Sequence, residues 1–471
     1  MGKKIIRIWI VVWSMFLGMG HAQSLLTLED CIKIALENNL DYKVATLDTE
    51  TSRINYKQSR QELLPSVNLD YNLGQSSGRS LDPFTNDFIN QELTFSNAGL
   101  QLNATIFNGF RLMNKIKQNR FRLYAAQMQK EEEKQNLILE VTLTYIQLLN
   151  SRDALVLAKN RYSTTEEQLK RIEANYNEGY GNPADYTDIK GQLAMDKVGI
   201  INVKNELNFV NQRLIKLLNT DLQKERVINS FSDLDAIEAY GHSIDNVYND
   251  ALNNLATFKV KQYQIEATKS SIKVARSYYL PNIGLFGKLS TNYSSIAETF
   301  QDTGTLTKET GDFVNINNQD IPVLRNETQF QSNKIGYADQ FNNNLNSVVG
   351  LSINIPIFNG FSAKNRVSLQ KIELEQAVVD LENTKRLLKQ AIANTYNNME
   401  SAYERFKAFK SQVNAFQESY RINKVKFENG VSNIVEYIVS KNNMDTAQLN
   451  LNKAKYEYLL QVKVLEYYRG L

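Results

Sequence analysis

The sequence predicts a mainly α-helical, internally duplicated protein with a small transmembrane β part. It reads as a long coiled-coil α-helical barrel plus a 12-stranded β-barrel, the latter formed by a trimer in which each chain supplies four strands. Three observations predict this class. Short motifs recur at two constant offsets, two long runs lack both glycine and proline, and four segments of about ten residues alternate apolar with polar.

The duplication comes first because every later element is counted through it. Ala35-Leu36 and Asn38 recur as Ala251-Leu252 and Asn254, and Leu64-Pro65 recurs as Leu280-Pro281, both 216 residues on. Ile106-Phe107-Asn108-Gly109-Phe110 recurs as Ile357-Phe358-Asn359-Gly360-Phe361, and Tyr176-Asn177-Glu178-Gly179 as Phe427-Glu428-Asn429-Gly430, both 251 residues on. Two constant offsets describe one duplication with one insertion. The additional 35 residues must therefore lie between Pro281 and Ile357. The chain divides into a leader at 1–22, a first repeat at 23–235 and a second at 236–471, each with a helix, two strands, a long helix and a return helix.

Residues 110–178 and 361–429 contain neither glycine nor proline. At 1.5 Å per residue a continuous helix of that length reaches roughly 100 Å. Val141, Leu148, Leu155, Tyr162, Leu169 and Tyr176 keep a seven-residue apolar repeat, as do Ile392, Met399, Phe406, Val413, Tyr420 and Phe427. A strict 3.5-residue period favours coiled-coil packing. Shorter helices flank each run, from Thr27 to about Glu62 and from Ala184 to about Asn219 in the first copy. Two of these end to end match one long helix. Gly179 to Pro183 and Gly430 to Asn433 mark the reversals.

Between the first short helix and the long helix the period changes to two. Val67, Leu69, Tyr71 and Leu73 share one face, with Asn68, Asp70, Asn72 and Gly74 on the other. Leu100, Leu102, Ala104 and Ile106 alternate with Gln101, Asn103 and Thr105; Ile283, Leu285 and Leu289 follow Pro281; Val349, Leu351, Ile353 and Ile355 precede Pro356. Such strands suit lipid outside and water inside, which assigns Asn68, Asp70 and Asn103 to a barrel lumen. Four strands cannot close, and an open edge is not tolerated in lipid. Two chains would give a filled eight-stranded barrel, three a twelve-stranded one with an open lumen, and the polar faces favour three. The segment 293–343, rich in Asn, Gln and Thr, reads as a longer external loop holding most of the insertion.

Composition excludes much else. Lys plus Arg exceed Asp plus Glu by three, 54 against 51, and Lys3, Lys4 and Arg7 supply that excess, so the processed chain is formally neutral. No basic footprint for nucleic acid is present. One cysteine, Cys31, and two histidines, His21 and His242, leave neither a disulfide nor a His or Cys metal cluster. No catalytic, cofactor-binding or metal site is predicted, and Cys31 reads as a small buried hydrophobe. The basic start, the apolar Ile8 to Leu17 and Gly20-His21-Ala22 read as a secretory signal.

These residues resemble the TolC-like outer membrane efflux proteins. The resemblance is carried by Leu28-Glu29-Asp30-Cys31-Ile32-Lys33-Ile34-Ala35-Leu36-Glu37-Asn38-Asn39, the Leu-Pro pairs before strands, the two Phe-Asn-Gly turns and the glycine turns at Gly179 and Gly430. It implies a homotrimer in the cell outer membrane, in contact with its lipid, with a helical tunnel in the periplasm. Its partners would be a periplasmic adaptor and an inner membrane transporter. The function implied is passive export through the channel of a tripartite efflux or type I secretion system. The resemblance also places the periplasmic entrance at the helix tips: Asp185, Glu436, Tyr176 and Phe427 beside the turns Gly179, Pro183 and Gly430. Phe427, Ser432 and Val439 depart from the family's usual Tyr, Arg and Asp, so the tip bonds of its relatives do not carry over directly.

Two other classes are weighed. A periplasmic coiled-coil adaptor would explain the heptads but needs a single hairpin with Gly-rich flanks. A secreted enzyme or lectin-like sandwich would explain the strands without the long helices.

Overall fold

The computed structural model describes residues 26–81, 86–90, 92–220 and 237–470; the leader at 1–22 lies outside the described residues. Helices α1 (Leu28–Asn38) and α2 (Leu40–Gln61) precede strands β1 (Ser66–Ser76), β2 (Arg79–Leu81), β3 (Phe88–Asn90) and β4 (Leu93–Asn108). Then come α3 (Arg111–Asn177), α4 (Pro183–Leu218), α5 (Ile244–Asn254), α6 (Ala256–Arg276), β5 (Asn282–Ser294), β6 (Glu298–Ile316) and β7 (Gln319–Lys334). The chain ends with α7 (Tyr337–Asn343), β8 (Asn346–Asn354), α8 (Ser362–Glu428) and α9 (Ile434–Arg469).

The two offsets hold element by element. α1 and α5 each have 11 residues and start 216 apart, α3 and α8 each have 67 and start 251 apart, and α4 and α9 each have 36 and start 251 apart. Side chains repeat as well. Cys31, Ala35, Val141, Leu148 and Leu214 are buried in one core, and their counterparts Val247, Ala251, Ile392, Met399 and Leu465 are buried in a second. Gly191 and Gly199 do not interrupt α4.

The chain forms two compact units, and neither is a single repeat. One draws on residues up to Ile54, Arg120–Thr268 and Glu373 onward; the other comprises Asn55–Asn119 and Lys269–Ile372. The first is helical; two of its cores sit where a short helix meets a long helix and a return helix, and a third, of Ile172, Ile189, Ile434 and Tyr437, lies among long and return helices alone. Cys31 lies in the first core with no exposure, and burial pushes its thiol up to about 11.

The single helix expected from Thr27 to Glu62 is broken at Asn39, whose backbone turns extended. Its Oδ1 accepts from the N–H groups of Asp41 and Tyr42 and so starts α2 as an N-cap. The second copy breaks at the equivalent Leu255. A leucine cannot cap, and the Gln135 Oε1 on α3 accepts from the Ala256 N–H instead.

The second unit contains a four-stranded antiparallel sheet in the order β1-β4-β5-β8, composed of the four expected strands. Segment 293–343 is mostly not a loop. It contains the β6–β7 hairpin and α7, and the hairpin is a separate two-stranded ribbon. Its turn residues Asn317 and Asn318 both have positive φ, 53° and 70°, as a two-residue I′ turn requires. The strands were hidden in the sequence because their residues are exposed and their apolar members, among them Phe300, Phe313, Val314 and Leu324, are scattered among polar ones without a regular alternation.

Candidate functional site

In the sheet, directly paired residues share a face, so the register fixes which side chains lie together. Ser66 pairs with Asn103, Asn68 with Gln101 and Asp70 with Gly99, while Val67 pairs with Leu102 and Leu69 with Leu100. β5 continues both faces: Gln101 pairs with Lys288 and Leu100 with Leu289. Asn68, Asp70 and Asn103 therefore lie on one polar face, with Lys288, Ser290 and Ser352. The opposite face is apolar across all four strands and most open on the edge strands, with Leu69 74% and Val349 79% exposed, while Leu102 and Leu285 on the inner strands are half-buried. Phe286, Phe95 and Val348 are exceptions on the polar face; Val348 pairs with Lys288, and the two rings fold over the glycines paired with them, Gly350 and Gly74.

Aromatic residues border the apolar face at both ends. At one end α7 lies against β5, the Thr291 hydroxyl donates to the Phe341 carbonyl, and Gln340, 1% exposed, bonds both backbone groups of Ser294. Tyr337 packs between Tyr293 and Phe341 with ring centroids 4.9 and 4.3 Å away. At the other end Phe107 meets Phe110 edge-on at 5.2 Å, repeated by Phe358 and Phe361 at 5.6 Å. Both turns hold two successive left-handed residues, Gly109-Phe110 and Gly360-Phe361. An apolar band between aromatic borders is the pattern of a lipid-facing barrel surface.

In the helical unit, α3 and α8 end alike. Gly179 adopts φ +81°, its N–H donates to the Tyr176 carbonyl, and the Tyr180 N–H reaches Asn175. Gly430 at φ +70° repeats this with Phe427, and Val431 with Lys426. This is a Schellman closure, which needs glycine at the left-handed position. Gly181, which sequence reasoning passed over, is required for space: a Cβ there would lie 2.6 Å from the Tyr176 backbone. Pro183 opens α4 behind the N-cap Asn182.

The predicted entrance residues fall in two local groups. Tyr176 stacks on Tyr186 at 5.0 Å, and the Tyr186 hydroxyl donates to Glu173. In the second copy Phe427 stacks on Tyr437, which is buried with Ile172, Ile189 and Ile434. Asp185 and Glu436 both stand in the first turn of a return helix, with Asn182 donating to the Asp185 carboxylate and Asn433 Oδ1 accepting from the Glu436 N–H. Burial and the neighbouring Asp188 hold the Asp185 carboxyl above its usual range, against the Asn182 hydrogen bond. Glu436 is exposed.

Deeper along the same helices lies a charged cluster that sequence reasoning missed. Asp196 on α4 has a fully buried carboxylate that receives hydrogen bonds from Thr165 (2.5 Å) and Gln192 (2.8 Å). Arg161 Nε lies 2.7 Å and Lys441 Nζ 3.6 Å from it, and both cations also meet Asp445. The Arg161 Nε contact is a charge contact, since its N–H points off the oxygen. Arg161 donates to Asn442, which donates to Gln192 and closes the circuit. A cleft of about 790 Å³ adjoins the cluster. Its members form one i, i+4 pair on each of three helices, Arg161 with Thr165, Gln192 with Asp196 and Lys441 with Asp445, and only the fold brings the three pairs together.

The outer membrane efflux protein family model matches the chain twice, over residues 31–220 and 247–470. The chain belongs to the outer membrane efflux protein family. Among relatives of this efflux protein, TolC of Escherichia coli strain K12 is 21% identical over 97% of this chain and 84% of its own length. The alkaline protease secretion protein AprF of Pseudomonas aeruginosa is 18% identical over 95% and 85%. The crystal structure of the Campylobacter jejuni CmeC outer membrane channel shares the fold, with a TM-score of 0.73, 16% identity, and coverage of 94% of this chain and 85% of that one. The efflux protein is thus an outer membrane channel component with two family repeats. The adaptor and sandwich readings fall away.

Proposed function

We propose that three copies of this efflux protein pool their sheets into one twelve-stranded barrel and form a passive export duct from periplasm to exterior. The observation that carries this reading is the sheet itself: β1 and β8 are unpaired edges of a sheet with one apolar face. In lipid each edge must find a strand, and β8 of one chain pairing β1 of the next satisfies both by rotation. At about 3.3 Å per residue, the 13 residues of β5 reach roughly 43 Å, and at a tilt near 40° they cross a bilayer core.

In this reading Asn68, Asp70 and Asn103 line the lumen, the β6–β7 hairpin stands outside the cell, and the helix tips form the periplasmic entrance. Asp185 and Glu436 each become a ring of three carboxylates, which favours cations. The partners in this reading are a periplasmic adaptor and an inner membrane transporter, and the transporter supplies the energy. Native mass spectrometry in mild detergent tests the reading: a trimer of the processed chain supports it, and a monomer under the same conditions overturns it.

A further inference from the structure

The charged side chains of the sheet-bearing unit are sorted by end. On the helix side of the sheet, residues 55–65, 109–119, 269–281 and 355–372 hold eleven Lys or Arg and a single acid, Glu62. That acid is already taken, since Lys115 donates to both of its oxygens at 2.6 and 2.8 Å. The β6–β7 hairpin, which follows β5 at the other end, holds six acids against three cations over residues 298–334. The cations also stand where helices disfavour them. α3 and α8 carry no acid in the first turn, whereas α4 and α9 open with Asp185 and Glu436. Arg111 is the first residue of α3 and Lys364 the third of α8, so each adds charge to the positive end of a helix dipole. Two rings hold these cations beside the apolar band. The guanidinium carbons of Arg111 and Arg366 lie 5.7 and 4.8 Å from the centre of the exposed Tyr278 ring, and Lys364 Nζ lies 5.8 Å from that of Phe361 in the aromatic border. Among the described residues Arg111, Lys273, Arg276, Lys364 and Arg366 form no ion pair.

We infer that this basic collar binds the headgroups of anionic phospholipids in the leaflet facing the periplasm, with Arg111, Arg366 and Lys364 as its principal phosphate contacts. Position selects a lipid. Arg111 follows Phe110 of the aromatic border directly, and Arg366 stands about 6 Å along α8 from its first residue. A headgroup layer is about 5–7 Å deep on each side of the hydrocarbon core, so both guanidinium groups fall at its level. Charge selects an anionic lipid, because the collar has a surplus of cations and no free carboxylate to receive the amine of a zwitterionic headgroup. A neighbouring copy of the chain cannot take the lipid's place, since at this level it brings the same surplus. A guanidinium stacked on a ring keeps its in-plane N–H groups for a phosphate, which the planar fork meets with two hydrogen bonds. The inference needs the outer membrane position of the sheet and does not depend on how many chains close the barrel.

The test adds phosphatidylglycerol, or zwitterionic phosphatidylcholine as the control, to the membrane-extracted protein in mild detergent and follows bound lipid by native mass spectrometry. Phosphatidylglycerol should bind more tightly than phosphatidylcholine. Arg111→Gln with Arg366→Gln should weaken phosphatidylglycerol binding by about fivefold per cation removed, about twenty-fivefold for the pair, and leave phosphatidylcholine binding unchanged. Lys308→Gln with Arg325→Gln takes the same charge from the β6–β7 hairpin and should change neither. Should the first pair fail to fold, Lys273→Gln with Lys364→Gln removes two exposed cations outside any ion pair and carries the same expectation. A large excess of inorganic phosphate should not displace the lipid. Equal binding of the two lipids, full phosphatidylglycerol binding by the collar variants, an equal loss in the hairpin variant, or displacement by inorganic phosphate overturns the inference. The same spectra report the number of chains, so the export reading stands or falls separately.

Discussion

The rings of Phe427 and Tyr437 stack with centroids 5.3 Å apart and planes 26° from parallel, and they tie the end of α8 to the start of α9. Their repeat counterparts Tyr176 and Tyr186 stack at 5.0 Å and 8°. The pairs differ in depth: Tyr437 is 1% exposed, whereas its counterpart Tyr186 is half-buried at the edge of the same core of Ile172, Ile189 and Ile434. Burial and the Tyr420 hydroxyl, 3.4 Å away, raise the Tyr437 phenol above its usual range, so it stays protonated at physiological pH. Tyr437→Ala is expected to destabilise the helical unit by about 3–5 kcal/mol, as large aromatic deletions in cores do. Tyr437→Phe should cost less than half of that. Denaturant unfolding of the detergent-solubilised protein measures both.

The two strand-to-helix turns make a second comparison. Gly109 and Gly360 both adopt left-handed backbone, at φ +66° and +60°. A Cβ on Gly109 would lie 2.7 Å from the Ser277 carbonyl and the Leu280 Cβ, whereas one on Gly360 meets nothing. Gly360→Ala should cost about 1–2 kcal/mol, the strain of a left-handed alanine. Gly109→Ala should cost about 1–3 kcal/mol more, from overpacking. Equal losses of thermal stability would show that the turns are interchangeable.

The sheet register supports a pair of adjacent substitutions. Leu102 lies on the apolar face with Val67, and Asn103 on the polar face with Ser66. Leu102→Arg should lower barrel stability by about 2–4 kcal/mol through lipid contact near mid-membrane, and Asn103→Arg by far less. The yield of folded protein in outer membrane fractions reads the difference, and equal yields would reverse the assignment of faces.

Gln135 does by tertiary contact what Asn39 does locally. Asn39→Ala removes a cap and should cost about 1–2 kcal/mol. Gln135→Leu leaves the Ala256 N–H without its acceptor and should cost about 1–3 kcal/mol, although the residue lies far from α6 in sequence. Hydrogen exchange at Ala256 should speed up in Gln135→Leu and stay unchanged in Asn39→Ala.

At the tips, Glu436→Gln removes three charges from a trimer while keeping size, and it should lower cation selectivity and weaken block by trivalent cations in planar bilayers. Asp185 adds a pH signature. Its carboxyl is held above the usual range, so the folded tip binds a proton more readily than the unfolded chain. Charged Asp185 is therefore unfavourable at neutral pH, and this penalty is relieved as pH falls through its raised value. Asp185→Asn should be slightly more stable than the parent at neutral pH, with the gap closing on acidification. A gap that is flat with pH, or one of opposite sign, would show that Asp185 is an ordinary helix-start acid.

Periodicity and spacing alone determined the duplication, the long helices, the four sheet strands and the two glycine turns, because each depends on residues close in sequence or on a repeat of 2, 3.5 or 251 positions. Asp185, Glu436, Tyr176 and Phe427 could be placed at helix ends for the same reason. Tertiary structure decided the rest. The break at Leu255 depends on Gln135, 120 residues away, and carries no local cap signal. The apolar residues of the β6–β7 ribbon are scattered and exposed, so no alternation announces it; its local cue is Asn317-Asn318. The Arg161, Asp196, Lys441 and Asp445 cluster is drawn from three helices, and each member alone reads as a solvated surface charge. What sets it apart is the burial of Asp196 and Lys441, which removes water from those charges and leaves each dependent on its neighbours.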